Sequence, residues 1–533
     1  MTDRTRELGT KPIGALLIQY AVPAIIAMTA SSLYNMVDSI FIGQGVGPMA
    51  IAGLAITFPL MNLSAAFGAM VGVGTATMIS VRLGQKNREE AQHFFGNSVT
   101  LNVIMGVAFM GVVLAFLNPV LRFFGASDQT LPYVREYMEW ILYGNVFTHL
   151  YFGLNAVLRS AGHPRTAMSA TILTVLLNTC LDPLFIYGFG MGIRGAAIAT
   201  VISQCVSLCW QVWIFSRSDE VVHFRRDTWQ LRPHIVGGIL SIGLSPFLMN
   251  ACSCLVVLLI NRGMVEYGGD LAVGAYGIDN RVLFLFAMIV MGFNQGMQPI
   301  AGYNYGAELH DRVQEVLWRT IGYATAVMTF GFVACELFAE AIVSAFTTDP
   351  DLIAIAAHGM RIDVALFPVI GFQMVTGNYF QSIGQAGKSI YMSLTRQLIF
   401  LLPSLLLLPH VMPVLGIDEL DGIWLSLPVS DGLAALNAAV LLWLHIRALK
   451  RAGAVGNDGV VTYLATTTGT VVDSDSDGSG SAAKPRPGFH SLLRLPRRIR
   501  YFAASRVAPY IPLFSVFQHQ QMPAEGDATS ETT

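Results

Sequence analysis

Long apolar runs recur along most of the chain. We count twelve between about residues 14 and 448, separated by short polar loops. A helix needs about 20 apolar residues to cross a hydrocarbon core of about 30 Å. The pattern therefore predicts an all-α polytopic membrane protein with about 12 transmembrane helices. The expected spans are 14–42, 49–79, 94–118, 132–155, 165–189, 193–216, 235–262, 271–302, 315–344, 353–382, 389–412 and 422–448.

The first six spans resemble the last six. The separation of Gly84 in VRLGQKN from Gly306 in YNYGAEL equals that of Gly162 in RSAGHP from Gly384 in QSIGQA. Six is an even number, so the two copies have the same orientation. Such parallel repeats are related by an axis along the membrane normal. The sequence therefore predicts two pseudo-symmetric six-helix bundles with a central cavity between them.

This repeat sets the expected domain boundaries. We expect an N-terminal bundle with a short cytoplasmic N-terminus at 1–222, a cytoplasmic linker at 223–234 and a C-terminal bundle at 235–449. Residues 450–533 are polar and contain VVDSDSDGSGSAAKPRPG, which is typical of a disordered tail. A basic stretch within that tail, interleaved with apolar residues, could instead lie on the inner leaflet.

Basic residues in the loops indicate the orientation. They concentrate on the side of the N-terminus, at Arg4, Arg6, Lys11, Arg82, Lys86, Arg88, Arg159, Arg165, Arg217, Arg225, Arg226, Arg232, Arg312, Lys388, Arg447, Lys450 and Arg451. The opposite loops carry fewer basic residues and the acidic GIDELDG. By the positive-inside rule both termini are cytoplasmic, and a multi-pass protein of the cytoplasmic (plasma) membrane is predicted. The polar start of the chain, MTDRTRELGTK, predicts no cleavable signal peptide.

The composition disfavours several classes of function. The chain is 53% hydrophobic and 12% charged, with a formal net charge of −2, so a nucleic-acid partner is not expected. GQAGKS, from Gly384 to Ser389, ends like a nucleotide-binding loop, but Ser382 stands where that motif needs glycine. No nucleophile and base set or cysteine–histidine metal set is recognisable. We therefore expect that the protein is not an enzyme and has no cofactor. We also expect a monomer.

The informative polar residues are carboxylates inside apolar runs. Asp38 lies in SSLYNMVDSIFIG and Asp182 in LNTCLDPLFIYG. An aspartate near the centre of a span costs about 2.5–3.5 kcal/mol, so it usually faces a cavity or a partner. Asn178 and Asp182 are four residues apart and share a helix face. Tyr34 stands in the same relation to Asp38, and Thr200 follows in the next span.

Carboxylate, amide and hydroxyl oxygens suit a hard cation such as Na⁺. Desolvated carboxylates can instead carry protons. Each side chain also has a structural alternative, namely a hydrogen bond to a neighbouring helix or, for Thr200, to its own helix. In the second half, Asp279 and Asp363 lie near Arg281 and Arg361, and we interpret them as paired or interfacial.

Together, LYNMVDSIFIG, VRLGQKNREEA, LRSAG, LDPLFIYG and the repeat resemble the multidrug and toxic compound extrusion (MATE) family. NQGMQPIAGYNYGA and FQSIGQAGKS are most similar to its MepA-like bacterial multidrug exporters. The resemblance implies export of small amphipathic, often cationic compounds across the bilayer, by antiport against Na⁺ or H⁺. It also implies a cation-coupling site, with Na⁺ as one candidate ion, and neighbouring gating or substrate-lining residues. The coupling residues would be Asp38, Asn178, Asp182 and Thr200, and the neighbours Pro23, Tyr34 and Asn155.

One departure from the family concerns the second half. The NorM branch has an acidic residue late in its tenth span, whereas ALFPVIGFQMVTGNYFQSIG has no carboxylate after Ala365. This difference concentrates the expected coupling on the first half. The alternative function is a flippase for a lipid-linked oligosaccharide or another amphipathic lipid of the same superfamily. That function would need cationic side chains for phosphate, and only Arg281 and Arg396 are candidates. A receptor or scaffold would not need the buried carboxylates.

Overall fold

The structure is a computed structural model that describes residues 4–454. The predicted tail lies almost entirely outside this range. The described chain is helical and contains no β-strand. The first-half spans are α1 Ile13–Gly45, α2 Pro48–Gly84, α3 Arg88–Ala115, α4 Leu131–Tyr143 with Asn145–Ser160, α5 Pro164–Gly188 and α6 Gly192–Phe215. The second-half spans are α7 Pro233–Gly269, α8 Leu271–Gly306, α9 His310–Ser344, α10 Pro350–Ser382, α11 Ala386–Leu415 and α12 Glu419–Ala454.

Eleven of these helices are long and apolar enough to cross a membrane. The other is α4, which is interrupted at Gly144 into two shorter pieces. The predicted polytopic all-α fold is thus confirmed. Short helices at Arg4–Thr10 and Leu117–Phe123 complete the first half.

The helix ends follow local sequence rules. Proline occupies the first turn of α2, α5, α7 and α10, where its missing N–H costs no hydrogen bond. Asn87 caps α3, since its side chain accepts a hydrogen bond from the backbone N–H of Glu90 at 3.0 Å. Asp349 caps α10 by accepting from the N–H groups of Asp351 and Leu352. These signals fix where each span begins.

The internal repeat is also visible in the backbone dihedral angles of equivalent loops. Among the described residues, two that are not glycine have positive φ, namely Lys86 at 60° and Glu308 at 59°. They occupy equivalent loops, after α2 and after α8, and have the same separation along the chain as Gly84 and Gly306. Gly162 and Gly384 share that separation too, and their φ angles are 92° and 77°. The two halves therefore share loop conformations as well as sequence.

The hydrophobic cores cross the boundary between the halves. The start of α1, including Ile13 and Leu17, packs in one core with α8, α9 and α10. Conversely, Ile235 and Ile239 at the start of α7 pack in a core with α2, α3 and α4. The first turns of α1 and of α7 thus each pack in the hydrophobic core of the opposite half.

The ends of α2 and α8 are in direct main-chain contact. A Cβ atom at Gly84 would overlap the carbonyl oxygen of Tyr303, and a Cβ at Gly306 would overlap that of Val81. Val81 and Tyr303 occupy equivalent positions of the repeat, so the two contacts are equivalent as well. Only glycine permits this approach. Nearby, the side chain of Gln298 donates to Thr77 across the two halves at 2.8 Å.

The linker between α6 and α7 is bound to α3. Asn97 donates to the carbonyl oxygens of Thr228 and Gln230 at 2.9 and 3.0 Å, and accepts from the N–H of Arg232 at 2.8 Å. On its exposed face, the guanidinium of Arg225 lowers the pKa of Asp227 through a hydrogen bond. These hydrogen bonds therefore fix the linker to α3 of the first half.

Candidate functional site

Asp38 and Asp182 come together between α1 and α5. Their side chains are buried, with 6% and 0% of each residue exposed. Asp38 lies seven residues before the end of α1 and Asp182 six before the end of α5, so each is about 10 Å from a helix end. Each carboxyl group is close enough to the other to interact with it.

A chain of hydrogen bonds ends on Asp182. The amide of Asn178 donates to Asp182 Oδ1 at 2.6 Å, and the hydroxyl of Thr200 donates to Asn178 Oδ1 at 3.4 Å. Tyr34 and Thr200 also bond through their hydroxyl groups at 3.2 Å. Since Thr200 uses its proton on Asn178, the tyrosine hydroxyl is the donor of that last bond. The donors therefore point from α1 and α6 toward the carboxylate on α5.

Two carboxylate oxygens are left over. Asp38 Oδ1 and Asp182 Oδ2 are buried and accept no hydrogen bond from the described residues. No lysine or arginine among the described residues acts on the carboxyl group of Asp38 or of Asp182. Oxygen atoms of this kind are good ligands for a hard monovalent cation or for a proton. A donor set of oxygen atoms favours hard cations over softer ions such as Cu⁺ and Zn²⁺.

The shape of α5 positions this site. Pro183 follows Asp182 directly, and the α-helix gives way there to a π-helical turn, Leu184–Gly188. Such turns are frequent at functional sites. The turn packs on the end of α1, where the hydroxyl of Tyr187 donates to the carbonyl oxygen of Phe41 at 3.1 Å. The two aspartates are thereby held on facing helices.

Sequence reasoning missed Tyr137 on α4. Its side chain is 1% exposed and close enough to Asp38 and Asp182 to act on both. Nothing in the local sequence, REYMEW, distinguishes it from an ordinary interfacial aromatic residue. Its phenol adds a fourth helix to the surroundings of the carboxylates.

Pro23 and Asn155 lie away from the acidic pair. Pro23 is buried in the part of α1 that contacts α8, where Gly296 approaches Ala21. It precedes Asp38 by about four turns, or about 22 Å along the helix. Asn155 instead joins α4 to α5 by donating to the carbonyl oxygen of Ala167 at 3.0 Å. Both sites are suited to positioning helices.

The second half contains a different acidic cluster. Asp279 on α8 and Asp363 on α10 are buried, with 0% and 6% exposed, and interact with each other. They do not pair with the arginines expected from sequence, because Arg361 bonds to Glu340 at 3.4 Å and Arg281 is exposed. Sequence proximity was misleading here, since those arginines point away from the bundle interior.

A partly buried ion pair adjoins this second cluster. Arg396 on α11 donates through Nε to Asp431 on α12 at 2.7 Å, and its charge also acts on Asp363. Asp431 was not singled out from the sequence. It lies in LPVSDGLAAL, one turn after a proline in the last span, and a carboxylate inside an apolar run was the available signal.

The internal repeat is also seen in the comparison with a family model. The MatE model matches this sequence twice, over residues 23–184 and 242–406, with one match in each half. Together the matches cover more than half of the chain. The chain belongs to the MatE family. The resemblance inferred from LYNMVDSIFIG, LDPLFIYG and the repeat is confirmed.

Individual relatives agree with this assignment. The MatE chain is 25% identical over 433 residues to the multidrug export protein MepA of Staphylococcus aureus strain MSSA476, covering 81% of this chain and 94% of that protein. A crystal structure of a MATE protein in the bent conformation superposes with a TM-score of 0.79, at 25% identity, over 85% of this chain and all of the other. The outward-facing structure of a multidrug resistance MATE transporter of the MOP superfamily gives 0.78, at 25% identity, over 84% and 98%.

Proposed function

We propose that this MatE protein exports small amphipathic, often cationic compounds in exchange for Na⁺ or H⁺. Two kinds of similarity support the class of substrate. One relative is named as a multidrug export protein, and one structural neighbour as a multidrug resistance transporter. The relatives are membrane transporters, and the eleven long apolar helices require a bilayer. We further propose a monomer in the cytoplasmic membrane with both termini cytoplasmic.

The observation that carries the coupling proposal is the first-half acidic pair. Asp38 and Asp182 each have a buried oxygen without a hydrogen-bond donor, and no cationic side chain of the described residues compensates them. Buried carboxylates without a cationic partner are costly, so a bound cation or proton would stabilise this arrangement. Asn178 and Thr200 hold Asp182 in position for it.

Transport would proceed by alternating access between the two bundles, 1–222 and 235–449. The main-chain contact of Gly84 and Gly306 closes the side that carries the N-terminus, which we assign to the cytoplasm. An ion entering from outside would bind at Asp38 and Asp182 and favour one arrangement of α1. A ligand shifts such an equilibrium only through unequal affinity for the two states. Drug release outward would follow, and the ion would be discharged inward.

A lipid flippase has weaker support. Its cavity would need cationic groups free to bind phosphate. Of the two candidates, Arg396 is engaged with Asp431 at 2.7 Å, and Arg281 is exposed on α8. The carboxyl groups near Arg396 would repel an anionic headgroup rather than bind it.

The test is dye efflux from cells or everted vesicles under separately imposed Na⁺ and proton gradients. We expect efflux to collapse when one gradient is removed while the other is kept, which identifies the coupling ion. Efflux that is indifferent to both gradients would contradict the proposal. Transport of a fluorescent lipid-linked sugar without dye efflux would support the flippase instead.

A further inference from the structure

The second-half cluster holds more carboxyl groups than arginines. Asp279, Asp363 and Asp431 come from α8, α10 and α12, and Arg396 on α11 bonds to Asp431 at 2.7 Å and acts on Asp363. Tyr276 on α8 and Cys335 on α9 also face the two first-named aspartates. The cluster therefore joins five helices of the C-terminal bundle around a single guanidinium.

The guanidinium of Arg396 extends from an irregular part of α11 to Asp431. Arg396 belongs to a π-helical turn, Thr395–Leu401, within α11. Its side chain is 28% exposed, whereas that of Asp431 is 7% exposed, so the carboxylate is the more buried partner of the pair. Both oxygens of Asp279 lack a hydrogen-bond partner among the described residues. Asp279 interacts instead with the neighbouring Asp363, on which the charge of Arg396 acts.

The buried carboxyl groups of the first half have different surroundings. There Asp182 accepts a hydrogen bond from Asn178, and no arginine or lysine of the described chain acts on Asp38 or Asp182. A guanidinium bonded to a buried carboxylate compensates the charge of that carboxylate without an ion from solution. The two halves thus differ in where their positive charge comes from.

We propose that Arg396 is a tethered counter-cation for the second-half carboxyl groups. It is a positioning residue that pairs with Asp431 and offsets the charge of Asp363, so these two groups need no external ion. The contrast with the first half rests on the proposed function, but the role of Arg396 does not. Its removal should leave a surplus of buried negative charge, which Na⁺ or protonation of a carboxyl group would then relieve.

The experiment measures thermal unfolding of the full-length protein in lipid nanodiscs, in NaCl against choline chloride and from pH 8 to pH 6. R396Q should lose stability at pH 8 and should recover more on acidification, or on adding Na⁺, than the wild type does. Lowering the pH adds protons to carboxyl groups that no longer have their cation, hence this sign. R396K keeps the charge and should resemble the wild type.

The double variant R396Q/D431N decides the question. Removing the paired charge along with the arginine should return the ion and pH dependence to the wild-type level. If R396Q cannot be purified, restored yield of monodisperse protein in the double variant serves as the readout. Unchanged dependence in R396Q, or no rescue by D431N, would overturn the proposal. D38N/D182N measured in parallel reports on the first-half ion site alone, so failure of the proposed function would be seen separately.

Discussion

The two halves of this MatE protein share a scaffold but differ in their buried charges. The loops at Lys86 and Glu308 have nearly the same φ, and the glycine contacts at Gly84 and Gly306 are equivalent. The acidic groups do not follow this symmetry. Asp38 and Asp182 lie on α1 and α5, whereas Asp279 and Asp363 lie on α8 and α10, which are the counterparts of α2 and α4.

The two halves therefore share their loop conformations and main-chain contacts, but they differ in the positions and partners of their buried carboxyl groups. Main-chain contacts tolerate almost no change in volume, because a single Cβ would overlap a carbonyl oxygen. Buried charges only require compensation, and compensation has more than one solution. One half uses oriented donors around a pair that lacks a cation, and the other uses an arginine. In our account only the first therefore responds to an ion.

The largest effect is expected from D38N and D182N. Each substitution removes a carboxylate from the proposed ion site while keeping its shape. Export driven by an imposed ion gradient should fall by about 5- to 150-fold, the range of typical coupling free energies. Dye efflux at matched expression is the measurement, and D279N/D363N in the second half is the control. Equal loss in the control would remove the distinction between the halves.

N178A should have the next largest effect. It deletes the amide that donates to Asp182 at 2.6 Å, and hydrogen bonds to charged groups contribute about 1.5–3 kcal/mol. Export under the ion gradient should fall by roughly tenfold or more. N437A is the matched control, because Asn437 donates to Thr395 at 3.2 Å between α12 and α11. A control as impaired as N178A would show a general packing defect.

G84A and G306A should have similar effects, because the contact is symmetric. The added methyl group meets a carbonyl oxygen, and overpacking costs about 1–3 kcal/mol. Spin labels at Gln85 and Ala307, in a cysteine-free background, should therefore move apart in each variant. Gly322 has open space around it, so G322A is the control. Unequal shifts from G84A and G306A would contradict a shared scaffold.

Y34F should give the smallest effect. It removes the neutral hydrogen bond at the far end of the chain that leads to Asp182, worth about 0.5–1.5 kcal/mol. We expect a few-fold weaker dependence of efflux on ion concentration. Y391F provides the comparison, since Tyr391 donates to Asn437 at 3.4 Å in the second half. No difference between the two variants would place Tyr34 outside the network.

Much of this fold follows from sequence patterns. Apolar length predicts the spans, and the constant offset between matching glycines predicts the repeat, because both depend on local composition and spacing. Asp182 and Asn178 could be associated since they lie on one helix face. Their meeting with Asp38 and Thr200 was available only through the family resemblance.

Other features depend on packing between distant segments. Tyr137 approaches the carboxylates because α4 packs against α1, α5 and α6 in one core, and no sequence rule gives that packing. Asp363 lies two residues from Arg361 in sequence, yet the helix turns the arginine toward Glu340 and the aspartate toward Asp279. The pairing of Arg396 with Asp431 likewise requires the packing of α11 on α12.

The central claim is that the ion acts in the first half and not in the second. Ion movement driven by a substrate gradient, measured in proteoliposomes for wild type, D38N/D182N and D279N/D363N, tests it most directly. We predict ion counterflow in the wild type and in D279N/D363N, and none in D38N/D182N. Counterflow that persists in D38N/D182N and disappears in D279N/D363N would contradict the account.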